Sequence, residues 1–137
     1  FFIPELVKQL SGKSLIEFLN YYFYKPMNLK RISYLPLKKF SRKEIVPTER
    51  DSLFRKRLVH GWVHDEAASL MGGVSGNAGL FANSESIAPL LQMLLQKGSY
   101  NGKQYLKPKT INTFVQRTFP KSSNPRPLGL ELLGKVL

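Results

Sequence analysis

Glycine is concentrated in one segment of the chain, and that segment limits what the chain can fold into. Residues 58–83 hold five glycines, at positions 61, 72, 73, 76 and 79, among small and apolar residues. Glycine has no Cβ, so it is favoured where the backbone turns tightly or closely approaches another group. The segment therefore predicts tight turns that lead into a short buried strand over residues 79–82.

Capping and amphipathic patterns predict four helices, over residues 4–10, 14–25, 84–97 and from 108 onward. In the second of them, Ser14 and Glu17 have the spacing of a capping box, in which each side chain accepts a hydrogen bond from the other's backbone N–H. Asn101-Gly102 predicts a hairpin-type turn. Strand signals are weak, because Pro36 and Pro47 interrupt a stretch in which neither the helical nor the strand period persists.

These elements predict a mixed α and β fold in which helices dominate. The irregular stretch from residue 27 to residue 57 is expected to contain one short strand at most. A sheet with so few strands would be poorly covered by this chain. Together with the unusual start Phe1-Phe2-Ile3, this leads us to expect that residues 1–137 are a piece of a longer protein.

Composition excludes several classes of site. The chain has 137 residues, enough for one domain, and no cysteine, which excludes disulfides, thiolate nucleophiles and cysteine zinc sites. Its two histidines, His60 and His64, lie on either side of Gly61, which disfavours a helix with both rings on one face, so no metal site is predicted. No cofactor is predicted either. Apolar runs are far shorter than the roughly 20 residues that cross a bilayer, so no transmembrane segment is expected.

The chain is strongly basic, with 21 Lys and Arg against 9 Asp and Glu. Eleven of these cations fall between Lys25 and Arg57, which is either a solvated loop or a patch that binds an anionic partner. Neither a recognition helix nor a basic–aromatic strand motif is present, so nucleic acid is not predicted as a partner.

The motifs of a complete active site are absent from the sequence. No serine or threonine has the Ser-x-x-Lys spacing except the near miss Thr118–Lys121, and the Gly-x-Ser-x-Gly pattern lacks its last glycine at Asn77. His64 and Asp65 are adjacent and have two interpretations: a hydrogen-bonded pair that stabilises a loop, or a pair that supports catalysis.

Several blocks of sequence occur in an order that resembles a known family. They are Ser11-Gly12-Lys13-Ser14-Leu15 with Phe18-Leu19, Tyr24-Lys25-Pro26-Met27-Asn28-Leu29, Ile45–Glu49, Gly61–Ala67, Gly72–Phe81 and Gln92–Leu106. Together they resemble the serine β-lactamase and penicillin-binding-protein superfamily, in its class C β-lactamase-related, esterase-like branch with a GGxxGHAGLF-type third motif.

The resemblance implies part of a β-lactamase/transpeptidase-like fold (α+β), with helices packed on an antiparallel sheet that is incomplete in this chain. Residues 1–137 would be the C-terminal-side fragment of a single serine hydrolase domain, and Leu128-Gly129-Leu130 would begin a further strand. The implied activity is acyl-enzyme hydrolysis of a β-lactam, a peptide or an ester, on a small-molecule or peptidoglycan-like substrate. The implied location is periplasmic or extracellular, in a bacterium.

The resemblance also implies the site residues. Asn77, Ala78 and Gly79 take the place of the third motif, Gly79 lets the substrate approach the strand, and the Leu80 N–H is the oxyanion donor. Asn77 stands where the branch usually has histidine, so a cationic anchor is lost there, and His64 with Asp65 are candidate supporting residues.

The nucleophilic serine, the lysine and the tyrosine of the family would lie before residue 1, in the missing half of the domain. The chain alone is therefore expected to be inactive. The alternative hypothesis is a non-catalytic basic module in which residues 25–57 grip an anionic polymer or surface.

Overall fold

The structure is a computed structural model, and it describes residues 2–116. The predictions that concern Phe1, the Thr118–Lys121 near miss and the apolar tail around Leu128 lie outside the described residues.

Five α-helices are present among residues 2–116. They are α1 Ile3–Ser11, α2 Leu15–Leu19, α3 Glu66–Leu70, α4 Ser84–Leu95 and α5 Pro108–Val115. A side chain caps the start of α2, α3 and α4, and a proline lies in the first turn of α1 and α5. The predicted capping box is confirmed at α2, where the Ser14 hydroxyl accepts from the Glu17 N–H and the Glu17 carboxylate accepts from the Ser14 N–H. A π-helical turn, Asn20–Tyr24, extends α2.

Within the described part of the chain, six short strands form three separate antiparallel pairs. The strands are β1 Ile32–Tyr34, β2 Pro47–Asp51, β3 Arg57–His60, β4 Leu80–Ala82, β5 Ser99–Tyr100 and β6 Lys103–Gln104. β1 pairs with β4, β2 with β3, and β5 with β6. The α+β prediction is confirmed. The stretch from 27 to 57 contains two strands instead of one, and no sheet of more than two strands occurs among residues 2–116.

The chain divides within α4 into two compact units, Phe1–Ile87 and Ala88–Leu137. The apolar core of the first unit includes Ile32 of β1, Val59 of β3 and Ala68 of α3, each at most 3% exposed. In the second unit, Met93 and Ile111 are buried. There Asn101 and Gly102 form the predicted turn between β5 and β6, with positive φ at both residues.

Candidate functional site

The strand β4 has one paired and one open edge among the described residues. Its partner β1 aligns Tyr34 with Leu80 and Ser33 with Phe81. Just beyond the strands, the Asn83 N–H donates to the Arg31 carbonyl over 3.1 Å. Hydrogen-bonded and non-hydrogen-bonded pairs alternate along an antiparallel ladder. Leu80 therefore lies in a non-hydrogen-bonded pair, and its N–H and C=O point to the open edge.

Gly79 leads into β4 through a close backbone contact. Its φ is +104°, and a Cβ placed there would overlap the carbonyl oxygen of Gly73, which itself has φ +80°. Only glycine combines this conformation with this contact at acceptable cost. The residues between Gly73 and Gly79, which we call the glycine loop, therefore fold back so that their two ends touch directly before Leu80.

Two hydroxyl groups fix the glycine loop. The buried Tyr34 hydroxyl donates to the Ser75 carbonyl over 2.9 Å, which ties the loop to β1. The Ser75 hydroxyl, itself fully buried, donates to Asn77 Oδ1 over 2.6 Å. That bond occupies the amide oxygen of the exposed Asn77 and leaves its NH2 group as the free donor. Sequence reasoning missed Tyr34, because a single tyrosine in a three-residue strand carries no recognisable motif.

His64 and Asp65 do not form the pair that their adjacency suggested. His64 Nδ1 lies 2.8 Å from the Glu49 carboxylate, and its side chain is 74% exposed. Asp65 caps α3 by accepting from the Ala68 N–H over 2.7 Å. Neighbouring side chains at the start of a helix point in different directions, so both find separate partners. Among residues 2–116, no hydrogen bond or ion pair joins either of them to Asn77 or Leu80.

Three cavities of the first unit differ in which of the predicted site residues line them. The first, of about 560 Å³, is lined by Glu49, Asp51, His64, Asp65 and Glu66 among others. Phe81 and Ala82 of β4 line a second one of about 330 Å³. A third, of about 640 Å³, lies along α2. Residues 77–80 line none of these three, and of them Asn77 and Leu80 are exposed.

Arg55 contacts three of the residues that line the first cavity, namely Glu49, Asp51 and His64. Its side chain is 7% exposed, donates to Glu49 over 3.1 Å and to the His64 carbonyl over 2.6 Å, and lies 3.7 Å from Asp51. The Asp51 carboxylate also accepts from the backbone N–H groups of Leu53, Phe54 and Arg55. This cluster of Arg55, Glu49 and Asp51 stabilises the turn between β2 and β3, and His64 contacts it through Glu49. It is a structural feature that the sequence did not indicate.

Asp51 gives a testable pH dependence. Burial favours a higher pKa, but the backbone N–H groups of Arg55, Phe54 and Leu53, with the Arg55 charge, outweigh it, and the pKa of Asp51 lies below its ordinary 3.8. A lowered pKa contributes stability above the unfolded value that is lost as pH falls through the folded value. We expect Asp51→Asn to lower the urea midpoint at pH 7 and to remove up to about one proton from the acid unfolding step below pH 4.

Urea titrations between pH 7 and pH 2.5 measure both effects. Glu66→Gln is the matched control, because Glu66 lines the same cavity but is exposed. An unchanged acid limb in Asp51→Asn, or an equal change in Glu66→Gln, contradicts the assignment of the proton to Asp51.

The described residues contain neither a metal-binding cluster nor a membrane-spanning helix. Among residues 2–116, no three His, Asp or Glu side chains are grouped so that they could hold a metal ion. The helices in that range are all too short or too polar to cross a bilayer.

Comparison with known proteins finds cell-wall enzymes. The chain is 39% identical over 132 residues to N-acetylmuramyl-L-alanine amidase of Bacillus subtilis (strain 168), covering 88% of this chain and 29% of the relative. It is 35% identical over 122 residues to a putative D-alanyl-D-alanine carboxypeptidase of Escherichia coli (strain K12), covering 80% and 28%, and 34% identical to one of Salmonella agona (strain SL483) over 82% and 29%. The chain thus spans less than a third of these curated relatives. No protein-family model matches it.

These names correct the resemblance drawn from the sequence. The relatives are named for an amidase and for carboxypeptidases, so the assignment to the serine β-lactamase and penicillin-binding-protein superfamily, in its esterase-like branch, is wrong on this comparison. The physical reason lies in what the quoted blocks encode. The glycines of the block at 72–81 meet backbone requirements, positive φ and the contact between Gly73 and Gly79, and such requirements do not report the reaction catalysed.

Proposed function

We propose that this chain is the substrate-binding part of a bacterial hydrolase that cleaves amide bonds in the peptide portion of peptidoglycan. The observation that carries the proposal is the open edge of β4, where the Leu80 N–H is directed away from β1. The relatives support the substrate class, because one is named for the N-acetylmuramyl-L-alanine linkage and others for D-alanyl-D-alanine.

An open strand edge recognises peptides through main-chain hydrogen bonds. An extended peptide placed against β4 would receive the Leu80 N–H on a backbone carbonyl and donate to the Leu80 C=O, as in strand addition. Gly79 presents no side chain at this point, so a substrate could approach the backbone closely. The free NH2 group of Asn77 adds a neutral donor beside it.

The same N–H would serve the chemical step. A backbone donor aimed at the carbonyl that is attacked stabilises the negative charge that develops on its oxygen. In this proposal Leu80 is the oxyanion donor, Gly79 and Ala78 shape the edge, and Asn77 orients the substrate. His64 and Asp65 have no part in it, because their contacts are with Glu49 and Ala68.

The groups that attack the carbonyl belong, in this proposal, to the rest of the protein. The chain spans under a third of its relatives. We therefore expect no hydrolysis by residues 1–137 alone. Peptidoglycan lies outside the cytoplasmic membrane, so a periplasmic or extracellular location follows from the same proposal. The basic-module alternative has no comparable support from the named relatives.

The sharpest test replaces one backbone N–H. Exchanging the amide at Leu80 for an ester, by semisynthesis with the corresponding hydroxy acid, removes the donor and leaves every side chain in place. We expect this variant to bind a stem peptide ending in D-alanyl-D-alanine about fivefold more weakly than the unmodified chain, because a hydrogen bond to a bound carbonyl contributes about 1 kcal/mol. Titration followed by nitrogen-15 NMR measures the affinity and locates the contact.

The matched control carries the ester at Phe81, whose N–H faces β1. That change weakens the ladder but leaves the open edge intact, so peptide affinity should fall less than in the Leu80 variant. A stem peptide that leaves the Leu80 and Ala82 amide signals unchanged would overturn the proposal. Digestion of purified peptidoglycan by the complete protein, with mass spectrometry of the products, then distinguishes release of D-alanine from cleavage at L-alanine.

A further inference from the structure

A cleft along α2 has the composition of a ligand site and shares no residue with the open edge of β4. Its volume is about 640 Å³, within the range of small-molecule pockets. It is lined by Gly12, Lys13, Glu17, Asn20, Tyr21, Tyr24, Lys25, Leu29, Ser33 and Lys39. We call it the α2 cleft.

Positive charge surrounds the α2 cleft. Lys13, Lys25 and Lys39 line it, and Glu17 is its one acidic lining residue. Lys13 Nζ is held 5.3 Å from the centre of the Tyr21 ring, and Lys39 Nζ donates to the Lys30 carbonyl over 3.0 Å. The exposed Lys25 has no side-chain partner among residues 2–116. Three ammonium groups against one carboxylate favour an anionic ligand.

The hydroxyl group of Tyr24 reaches the cleft and has no partner among residues 2–116. Tyr24 lines the cleft and is 5% exposed, yet its hydroxyl has no hydrogen bond to the described part of the chain. Burial first, and the nearby Tyr34 second, raise the pKa of Tyr24, so the hydroxyl stays protonated and able to donate. With no protein partner and the oxygen accessible from the cleft, the hydroxyl is available to donate to a ligand bound there.

The remaining lining matches a sugar better than a simple inorganic anion. Tyr21, 63% exposed, presents apolar surface, which suits the C–H face of a pyranose ring. The Asn20 amide donates to the Ile16 carbonyl over 2.8 Å, which orients the Asn20 side chain and leaves oxygen lone pairs to accept from hydroxyl groups. Glu17 stays ionised, because hydrogen bonds from the Ser14 side chain and backbone lower its pKa, and it can accept as well.

We propose that the α2 cleft binds an anionic saccharide, with its carboxylate or phosphate held by Lys13 and Lys25 and its ring placed against Tyr21. The Tyr24 hydroxyl donates to a ring substituent. This site is separate from the peptide-binding edge, so the inference does not depend on the proposed function. A polymer that contains both sugars and peptides could occupy both sites.

A titration with matched small sugars tests the inference on the 137-residue chain. N-acetylmuramic acid carries a carboxylate, N-acetylglucosamine is its neutral counterpart, and N-acetylglucosamine 6-phosphate carries a phosphate. We expect N-acetylmuramic acid to shift the amide signals of Gly12, Asn20 and Tyr24, and the neutral sugar to bind about tenfold more weakly, as loss of a charge-assisted hydrogen bond predicts. Tighter binding of the phosphorylated sugar would also support the inference and identify phosphate as the anion.

Variants assign the contacts. Lys25→Gln should weaken binding of N-acetylmuramic acid by about fivefold to tenfold, and Tyr24→Phe should weaken it without loss of stability. Lys43→Gln, at an exposed lysine outside the cleft, is the control for general charge and should leave affinity unchanged.

Three results would overturn the inference: no binding of either anionic sugar, equal loss of affinity in Lys43→Gln and Lys25→Gln, or inorganic phosphate that competes as well as the sugars do. The Leu80 ester variant should bind N-acetylmuramic acid normally. If it does while stem peptides fail to bind the unmodified chain, the proposed function falls and the α2 cleft remains.

Discussion

Replacing Gly79 by alanine should lower the free energy of unfolding by about 3 kcal/mol or more. Two costs add at this position. The backbone has φ +104°, which L-residues with a side chain rarely adopt, and the new Cβ would overlap the carbonyl oxygen of Gly73. Backbone atoms cannot swing aside as a flexible side chain can, so the glycine loop must open. Urea unfolding followed by circular dichroism measures the change in midpoint.

Gly72→Ala is the control that separates the two costs. Gly72 has φ +85°, but no atom lies within 4 Å of the position that its Cβ would occupy. The free energy of unfolding of Gly72→Ala should therefore fall only by the conformational cost, about 1–2 kcal/mol. Equal losses in the two variants would show that the contact between Gly73 and Gly79 is not formed in solution.

Four of the five α-helices among residues 2–116 could be predicted because their signals are local; the short α3, Glu66–Leu70, lies in the glycine-rich segment and was missed. Ser14 and Glu17 are three residues apart, and the hydrogen bonds that they make are the ones that the spacing indicates. The apolar period of residues 84–97 likewise predicts α4. A capping residue and an apolar period of 3.6 residues can be recognised without knowing which distant parts of the chain the helix contacts.

The strands could not be predicted in the same way, because their partners are distant in sequence. Ile32 pairs with Ala82, and Pro47 with His60, and neither three nor five residues are enough to display a clear alternation. β2 even begins at a proline, which argued against a strand there. Proline is tolerated at the first residue of a strand, and the prediction gave that exception too little weight.

In the candidate site, too, local features could be predicted from sequence and contacts between distant segments could not. The turn at Gly79 and the strand that follows could be predicted from sequence, since a glycine-rich block before an apolar pair indicates a turn into a strand, but Leu80 and Ala82 are exposed where a buried strand was expected. The partner of His64 could not, because Glu49 reaches it from β2 and adjacency to Asp65 carries no information about direction. The same holds for Arg55, whose contacts with Glu49 and Asp51 depend on the turn between β2 and β3.

For the α2 cleft, the sequence showed the basic residues but could not show that they come together in one cleft. The excess of lysine and arginine after Lys25 indicated a solvated loop or an anion-binding patch. The structure places Lys25 and Lys39 from that stretch beside Lys13 and Tyr21, which precede it. Spatial clustering of charges from separate segments is a property of the fold, so composition alone could not locate the cleft.

Replacing Tyr34 by phenylalanine should lower the free energy of unfolding by about 1–3 kcal/mol, the second large effect that we expect. The hydroxyl is buried and donates to the Ser75 carbonyl over 2.9 Å. Burial raises the pKa of Tyr34, so it donates throughout the neutral range. Without it, the carbonyl of the fully buried Ser75 loses its donor, and the glycine loop loses its tie to β1.

Tyr24→Phe is the matched control, because both tyrosines are buried but the Tyr24 hydroxyl has no partner among residues 2–116. It removes the same atom and should change stability by less than about 0.5 kcal/mol. Hydrogen exchange adds a local readout: in Tyr34→Phe the amides of residues 74–79 should exchange faster than the global loss of stability requires, because the loop opens before the rest of the unit. Equal stability of the two variants, with unchanged exchange in the loop, would show that this bond does not hold the glycine loop against β1, and the open edge that begins at Leu80 would lose its support.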